Sequence, residues 1–381
     1  MRIEDFTNPN GELILIKDSD GADGYAFVPA PLPPEIEWDN ELVRLIAKAN
    51  GELSRLDAFI NSLPNPEIIM VSFLKREAVL SSRIEGTQAS LEDLLIYEVT
   101  QKETTPDVRE VYNYVNAMEF ALNRLNELPL CLRLLKETHK ILLTGVRGQS
   151  KAPGRFRKVQ NWIGPPGAKL SDATYVPPPP MYIDNLMSNL EKFIHDAGLP
   201  LLVQSAILHY QFEAIHPFLD GNGRLGRMLV NLFLLERKML KHPVLNISAF
   251  FERHREEYYS YMLKVSITGD WNEWLKFFMK AVQSVAVTES QKAEALIELR
   301  EKWRRELLGK ISPAALRTLE LFFISPVLTA SMVAQHLNIT HQGAAKALIE
   351  LVNNEVAIES STRKWRKSYI APNLSKILEQ K

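Results

Sequence analysis

Between residues 201 and 240 two helical patterns are separated by one polar stretch, His216-Pro-Phe-Leu-Asp-Gly-Asn-Gly-Arg-Leu-Gly-Arg227. One helix must end near Ile215 and the next must begin within the glycines. Gly221, Asn222 and Gly223 then direct backbone N–H groups into one concavity at a helix N-terminus, which is an anion site. Arg224 and Arg227 stand at i and i+3, so both guanidinium groups reach the same face. Two such groups beside an amide nest suit a polyphosphate better than a carboxylate. Asp220, just before the nest, can hold Mg²⁺ against phosphate oxygens. His216, with an ordinary pKa of about 6.5, is the group suited to take a proton from an attacking hydroxyl at neutral pH. Phe218, between polar neighbours, is placed to point inward and pin the loop. A His209/His216 metal pair lacks further ligands at zinc-like spacing. Neither a GxxxxGK[ST] loop nor a GxGxxG after a strand occurs.

The rest of the chain reads as mainly α. Helical periods cover residues 40–62, 67–85, 90–98, 107–127 and 130–143, with Gly86 placed to end the second. Residues 28–34 are extended, because each proline disfavours helix before it. Between 145 and 180 the texture turns to Gly, Pro, Lys and Arg. There, residues 156–163 and 173–176 face each other across a Gly/Pro-rich turn as a β-hairpin, and the prolines at 177–180 stop the second arm. Helices resume at 182–195, 201–215, 228–240, 250–269 and 271–288. Residues 289–308, rich in Glu, Lys and Arg, read as an exposed linker helix. Three helices at 313–323, 329–337 and 341–354 and two strands at 356–360 and 367–370 follow, the order of a winged helix-turn-helix. Its wing would be the basic turn Arg363-Lys-Trp-Arg-Lys367.

The 381 residues carry 45 Lys and Arg against 46 Asp and Glu, so no global field draws the molecule to nucleic acid or membrane. Residues 310–381 hold nine Lys and Arg against five Asp and Glu, so the remainder is net negative. Residues 321–345 lack charges but are interrupted by Ser, Thr, Gln, Asn, His and Pro, which excludes a membrane span. The lone Cys131 sits among leucines and reads as a small buried hydrophobe, and one thiol fits a reducing compartment. With no apolar signal segment at residues 1–7, the expected location is cytoplasmic.

The stretch from His216 to Arg227 resembles the signature HPFx[DE]GNGRxxR of the Fic (Fido) family of protein AMP-transferases, and every defining position is matched. The segment Gly154-Arg-Phe-Arg, with Asn161, Trp162, Ile163 and Gly164 and then the prolines, resembles the family's target-aligning flap. Tyr258 and Tyr259 resemble the lining of its adenine pocket. The resemblance covers roughly residues 35–288. It implies a helical core with a β-hairpin flap and transfer of AMP from ATP–Mg²⁺ to a Tyr, Thr or Ser hydroxyl, with release of pyrophosphate. It further implies His216 as general base and Asp220 as the Mg²⁺ ligand. Gly221, Asn222, Gly223, Arg224, Leu225 and Gly226 would contact the nucleotide, with Arg227 on the γ-phosphate. Gly223 places the chain with the AMP-transferring branch, because the kinase-like Doc branch commonly has Lys there.

Ser81-Ser-Arg-Ile-Glu85-Gly86 resembles the family's inhibitory motif [ST]xxxE[GN]. Ser81 and Glu85 share a helix face, so Glu85 can pair with the arginine that would otherwise meet the γ-phosphate. The plan is therefore an N-terminal helical region with the inhibitory helix (1–110), a catalytic core (111–288), a linker helix (289–309) and a winged helix (310–381). Expected partners are ATP, a target protein on the flap, and a second copy or DNA at the winged helix. Two alternatives stay open: a DNA-binding regulator with a nucleotide-sensing core, and removal of AMP from modified proteins.

Overall fold

The computed structural model describes residues 3–17, 21, 23–63, 65–100, 105–165, 167–196, 198–360 and 367–379. The chain opens with an antiparallel hairpin of β1 (Gly11–Lys17) and β2 (Asp23–Pro29), in which Leu13 faces Phe27 and Leu15 faces Tyr25. The helices α1 (Asn40–Asn61), α2 (Glu67–Ile84), α3 (Leu91–Thr100), α4 (Pro106–Arg124) and α5 (Leu132–Leu142) follow. After a long irregular segment come α6 (Pro180–Ile194), α7 (Leu201–Ile215) and α8 (Asn222–Glu236). Then come α9 (Ser248–Arg253), α10 (Arg255–Thr268) and α11 (Asn272–Leu307).

At the centre α7 packs against α8, with α6, α10 and α11 also on α7 and α2, α4 and α5 on α8. Its sequence is apolar on every side, and nearly every residue of it is buried, as that pattern requires of a core helix. Among the described residues no helix is long and apolar enough to cross a membrane.

Three features differ from the sequence expectations. The β1–β2 hairpin was not anticipated. It backs the irregular segment, since Phe27 N–H donates to the Val176 carbonyl (2.9 Å) and Ala26, Leu170, Ala173 and Val176 form a small apolar cluster of their own.

The two arms of the expected flap hairpin do face each other, but through the single pair Ile163–Tyr175 rather than a ladder. Earlier on the first arm, Arg157 turns to the motif loop instead. Arg157 N–H donates to the Pro217 carbonyl (2.9 Å), and its buried guanidinium donates to the carbonyls of His216, Val159 and Pro178.

The expected exposed linker at 289–309 is instead the second half of α11, a continuous helix of 36 residues. Most of its charges are exposed, but two near its start face inward. Glu289 and Lys292 are 1% and 2% exposed, and Glu289 pairs with Arg76 of α2 (2.6 Å) and with Lys292 (3.3 Å). Ala293, Leu296, Trp303 and Leu307 carry the buried stripe onward.

The C-terminal part consists of α12 (Pro313–Ile324), β3 (Val327–Thr329), α13 (Ala330–Leu337) and α14 (His341–Asn353), then β4 (Ile358–Ser360), β5 (Ser368–Ile370) and α15 (Pro372–Glu379). The strands form an antiparallel sheet in the order β3-β5-β4. At the turn between α13 and α14, Asn338 adopts a left-handed conformation (φ 52°), and the Thr340 hydroxyl accepts from Gly343 N–H (3.1 Å) as the N-cap of α14. Of the basic turn, residues 363–366 lie outside the described residues, while Lys367 pairs with Glu359. This part is packed on the rest of the molecule. The α12 helix lies on α2 and α11, β3 meets α3, and α15 touches α2 and α11.

Candidate active site

The site grows from the junction of α7 and α8. His216 caps α7 in a left-handed conformation (φ 48°), uncommon for a residue with a side chain and therefore held by its surroundings. Those surroundings are the N–H bond to the Phe212 carbonyl (3.0 Å) and the Arg157 guanidinium on the His216 carbonyl (2.9 Å). Burial, with the nearby Arg157 charge, pulls the His216 imidazole down to about 4, so at neutral pH it is an unprotonated base. Its Nδ1 is buried beside the backbone of Glu213, which leaves Nε2 as the nitrogen to face a reactant.

Phe218 is fully buried, as its position in the motif implied, stacked on the His139 ring at 3.7 Å. Asn222 turns its side chain back on the loop, where Oδ1 accepts from Phe218 N–H (2.9 Å) and Nδ2 donates to the Phe218 carbonyl (2.9 Å). That brace leaves the backbone N–H groups of the first turn of α8 as the anion-facing donors. Gly221 (φ 78°) makes the turn into α8. Leu225 is wholly buried, so its side chain faces the core and not a ligand.

Both arginines are 1% exposed and both are held by carboxylates. Arg224 donates to Glu110 of α4 (3.1 Å) and lies 3.5 Å from Asp220. Arg227 donates through Nε to the Ser81 hydroxyl (2.9 Å) and through Nη2 to the Ser81 carbonyl (3.0 Å) and to Glu85 (2.6 Å). Burial alone would raise the Glu85 carboxyl, but the charge and hydrogen bond of Arg227 outweigh it and hold it below the usual range. Ser81 and Glu85 thus both meet Arg227. Gly223 makes this approach feasible, since a Cβ built there would lie 2.1 Å from the Glu85 carboxylate.

Asp220 keeps a partly exposed carboxylate at the mouth of the site. Among the described residues no group of three His, Cys, Asp or Glu could hold a metal by itself. A single carboxylate suits Mg²⁺, which keeps waters and takes further ligands from phosphate oxygens.

The flap residues are partly engaged with the motif loop. Asn161 donates to the Phe218 carbonyl (3.3 Å), Trp162 Nε1 donates to the Ala168 carbonyl (2.8 Å), and Gly164 follows the Ile163 bridge. Of the two tyrosines, Tyr258 is buried with its hydroxyl on His209 (2.8 Å), within an aromatic cluster that includes Phe251 and Trp274. Tyr259 is 40% exposed, with the Arg255 guanidinium over its ring.

Sequence reasoning missed three residues of the site. Glu110 and His139 precede His216 by 106 and 77 residues, and no spacing rule connects them to it. Glu213 stands one turn before His216, where its Oε1 is buried without a hydrogen-bond partner among the described residues and burial pushes its carboxyl up to about 8. The lone acidic residue of α7 was the available signal.

Comparison with known proteins agrees with this geometry. Residues 129–234 match the Fic/DOC family and residues 43–123 the Fic/DOC family N-terminal region. The chain is 31% identical over 202 residues to a probable protein adenylyltransferase of Aquifex aeolicus, covering 50% of this chain and 58% of that one. It is 29% identical over 174 residues to the protein adenylyltransferase Fic of Drosophila virilis, covering 44% and 32%. The chain therefore spans somewhat over half of the one relative and a third of the other. A crystal structure of a Fic family protein from Desulfovibrio desulfuricans shares the fold, with a TM-score of 0.58, 21% identity and coverage of 89% of this chain and 98% of that one. A Fic domain-containing signaling protein from Bacteroides thetaiotaomicron aligns with a TM-score of 0.50 and 17% identity over 67% and 95%. The chain thus carries both the N-terminal region and the Fic region of the Fic/DOC family, at residues 43–123 and 129–234.

Proposed function

We propose that this chain is a protein adenylyltransferase that moves AMP from ATP to a Tyr, Thr or Ser hydroxyl of a protein, itself included. The observation that carries the reading is the meeting of a neutral imidazole, a mouth-facing aspartate, a helix N-terminus and two buried arginines within twelve residues. Such fixed donors and charges around a phosphate are what phosphoryl chemistry needs. His216 takes the proton of the attacking hydroxyl, whose oxygen bonds to the α-phosphorus as the bond to the bridging oxygen breaks and pyrophosphate leaves. The first-turn N–H groups of α8 and Arg224 hold the phosphates, and Arg227 meets the γ-phosphate. Asp220 would hold Mg²⁺, which when bound offsets charge on the phosphate oxygens.

In this reading Glu85 is a brake, because it occupies Arg227 in the place of the γ-phosphate. The flap offers exposed Val159 and Ile163 to a target segment. Residues 310–381 act as a winged-helix accessory part, whose α14 turns His341, Gln342, Lys346 and Ile349 outward. An apolar side chain in the middle of that face suits a protein partner or a second copy better than a phosphate backbone.

The test is incubation with α-labelled ATP and Mg²⁺, alone and with a lysate. His216→Ala is expected to lower transfer about 10²–10⁴-fold while nucleotide binding is retained. Full label transfer by His216→Ala would overturn the assignment.

A further inference from the structure

His139 of α5 is fully buried, and its ring joins two segments far apart in sequence. The N–H of Gly154, at the base of the flap segment, donates to Nδ1 (2.8 Å), and Nε2 lies 2.8 Å from the backbone carbonyl of Asp220. These two bonds settle the tautomer. A nitrogen that accepts a backbone N–H carries a lone pair, so the ring proton is on Nε2 and is donated to Asp220. The ring also stacks on Phe218 at 3.7 Å, with the planes 10° apart. Gly221, next in the chain, passes so near that a Cβ there would be 3.4 Å from Nε2. On the far side Gly154 (φ 76°) runs close against α5, where a Cβ would meet the Lys136 carbonyl at 2.9 Å.

We propose that His139 is a positioning residue. Its ring sets the angle at which Asp220 presents its carboxylate to a Mg²⁺-bound polyphosphate, and at the same time sets the base of the flap. A buried aromatic of the same size would fill this place equally well if packing were its whole purpose. The two hydrogen bonds at opposite corners of the ring are the part that packing does not require, and each fixes the backbone of a different working segment. The proposal rests on the nucleotidyl-transfer reading of Asp220 given above.

Two conservative variants separate the two corners. Gln places a donor near the position of Nε2, and Asn an acceptor near the position of Nδ1. Each would be made in the full chain carrying Glu85→Gly, so that the brake does not mask nucleotide binding. The readouts are the Mg²⁺ concentration for half-maximal binding of ATP, measured by calorimetry, and hydrogen exchange at the Gly154 amide. With His139→Gln the Mg²⁺ requirement is expected to stay within about twofold of the parent while Gly154 exchanges faster. With His139→Asn the Mg²⁺ requirement rises roughly five- to tenfold while Gly154 stays protected, the loss of about one hydrogen bond in each case. With His139→Phe, which keeps the stack on Phe218, both change.

If the two readouts move together in both Gln and Asn variants, or in neither, the ring is a filler and the proposal is wrong. A Glu85→Gly parent that fails to bind ATP with Mg²⁺ overturns the underlying reading of the site instead, before any His139 variant is compared.

Discussion

At its middle, α2 is tied to three neighbours by buried side chains: Lys75 to Glu98 on α3 (2.6 Å), Arg76 to Glu289 on α11 (2.6 Å), and Glu77 to Ser248 on α9. Its last turn is different. Ser81 and Glu85 turn to Arg227, the Glu85 side chain keeps 32% of its exposure, and Gly86 (φ 95°) ends the helix beside it. The middle of the helix is a strut and its end a contact that a ligand can compete for. Arg227 can therefore be freed by a side chain or a single turn moving, with the body of α2 in place.

The largest test falls on the strut. Glu289→Ala leaves Arg76 and Lys292 buried without the carboxylate between them, and removal of one member of a buried ionic cluster costs about 3–5 kcal/mol. Denaturant unfolding should register that loss, with no comparable loss for Glu85→Gly. Equal costs would erase the distinction between the middle of the helix and its end.

Next comes the acidity of the strut. Burial raises the Glu77 carboxyl to about 7, against the pull of Ser248 and Arg227. Unfolded, it releases its proton near 4.5, so between about pH 4.5 and 7 the folded chain binds more protons and stability falls as pH rises. Glu77→Gln should remove this part of the slope, up to about 3 kcal/mol across the window. An unchanged slope would place the titration elsewhere.

At the end of α2, Glu85→Gly should raise AMP transfer about tenfold, the worth of roughly 1.4 kcal/mol in competition for Arg227. Adding Arg227→Ala should abolish the gain, as read from label incorporation. Unchanged labelling in Glu85→Gly would make the last turn a strut as well.

The smallest effect sharpens the same point. Gly223 has an ordinary helical φ and can accept Ala, but the added Cβ runs into the Glu85 carboxylate and comes within 3.0 Å of Arg227 Nη1. Since that carboxylate is the end of a flexible, partly exposed side chain, it should yield, and Gly223→Ala should raise transfer several-fold in an otherwise native chain. No rise would mean that Glu85 finds a second seat on Arg227.

How much of this was legible in the sequence follows from range. His216, Asp220, Arg224 and Arg227 are local to one loop, so their spacing reveals their convergence. The partnership of Glu85 with Arg227 spans more than 140 residues and was reached through family resemblance, since i and i+4 spacing says only that Glu85 shares a face with Ser81, whose own bonds to Arg227 the sequence did not suggest. Glu110 and His139 could not be found, because a hydrogen bond across the fold leaves no period in the chain. The burial of Glu289 and Lys292 ran against composition, which marks a charged helix as solvated unless its partners are already known. The β1 strand did leave a trace, in the run Glu12-Leu-Ile-Leu-Ile-Lys17, but four consecutive apolar residues hide the alternation of a half-covered strand.

The unbroken course of α11, about 54 Å at 1.5 Å per residue, bears on how such a molecule can be assembled by recombination. A junction near residue 288 would strand Glu289 and Lys292 on one fragment and the Arg76 side of their cluster on the other. A junction at Leu308-Gly309, where the helix has ended and Leu308 is 70% exposed, leaves that cluster on one fragment. Even there α12 would be parted from α2 and β3 from α3. The C-terminal part is thus inherited with the helix that carries Glu85, and exchanging it for another would require a matching surface on α2.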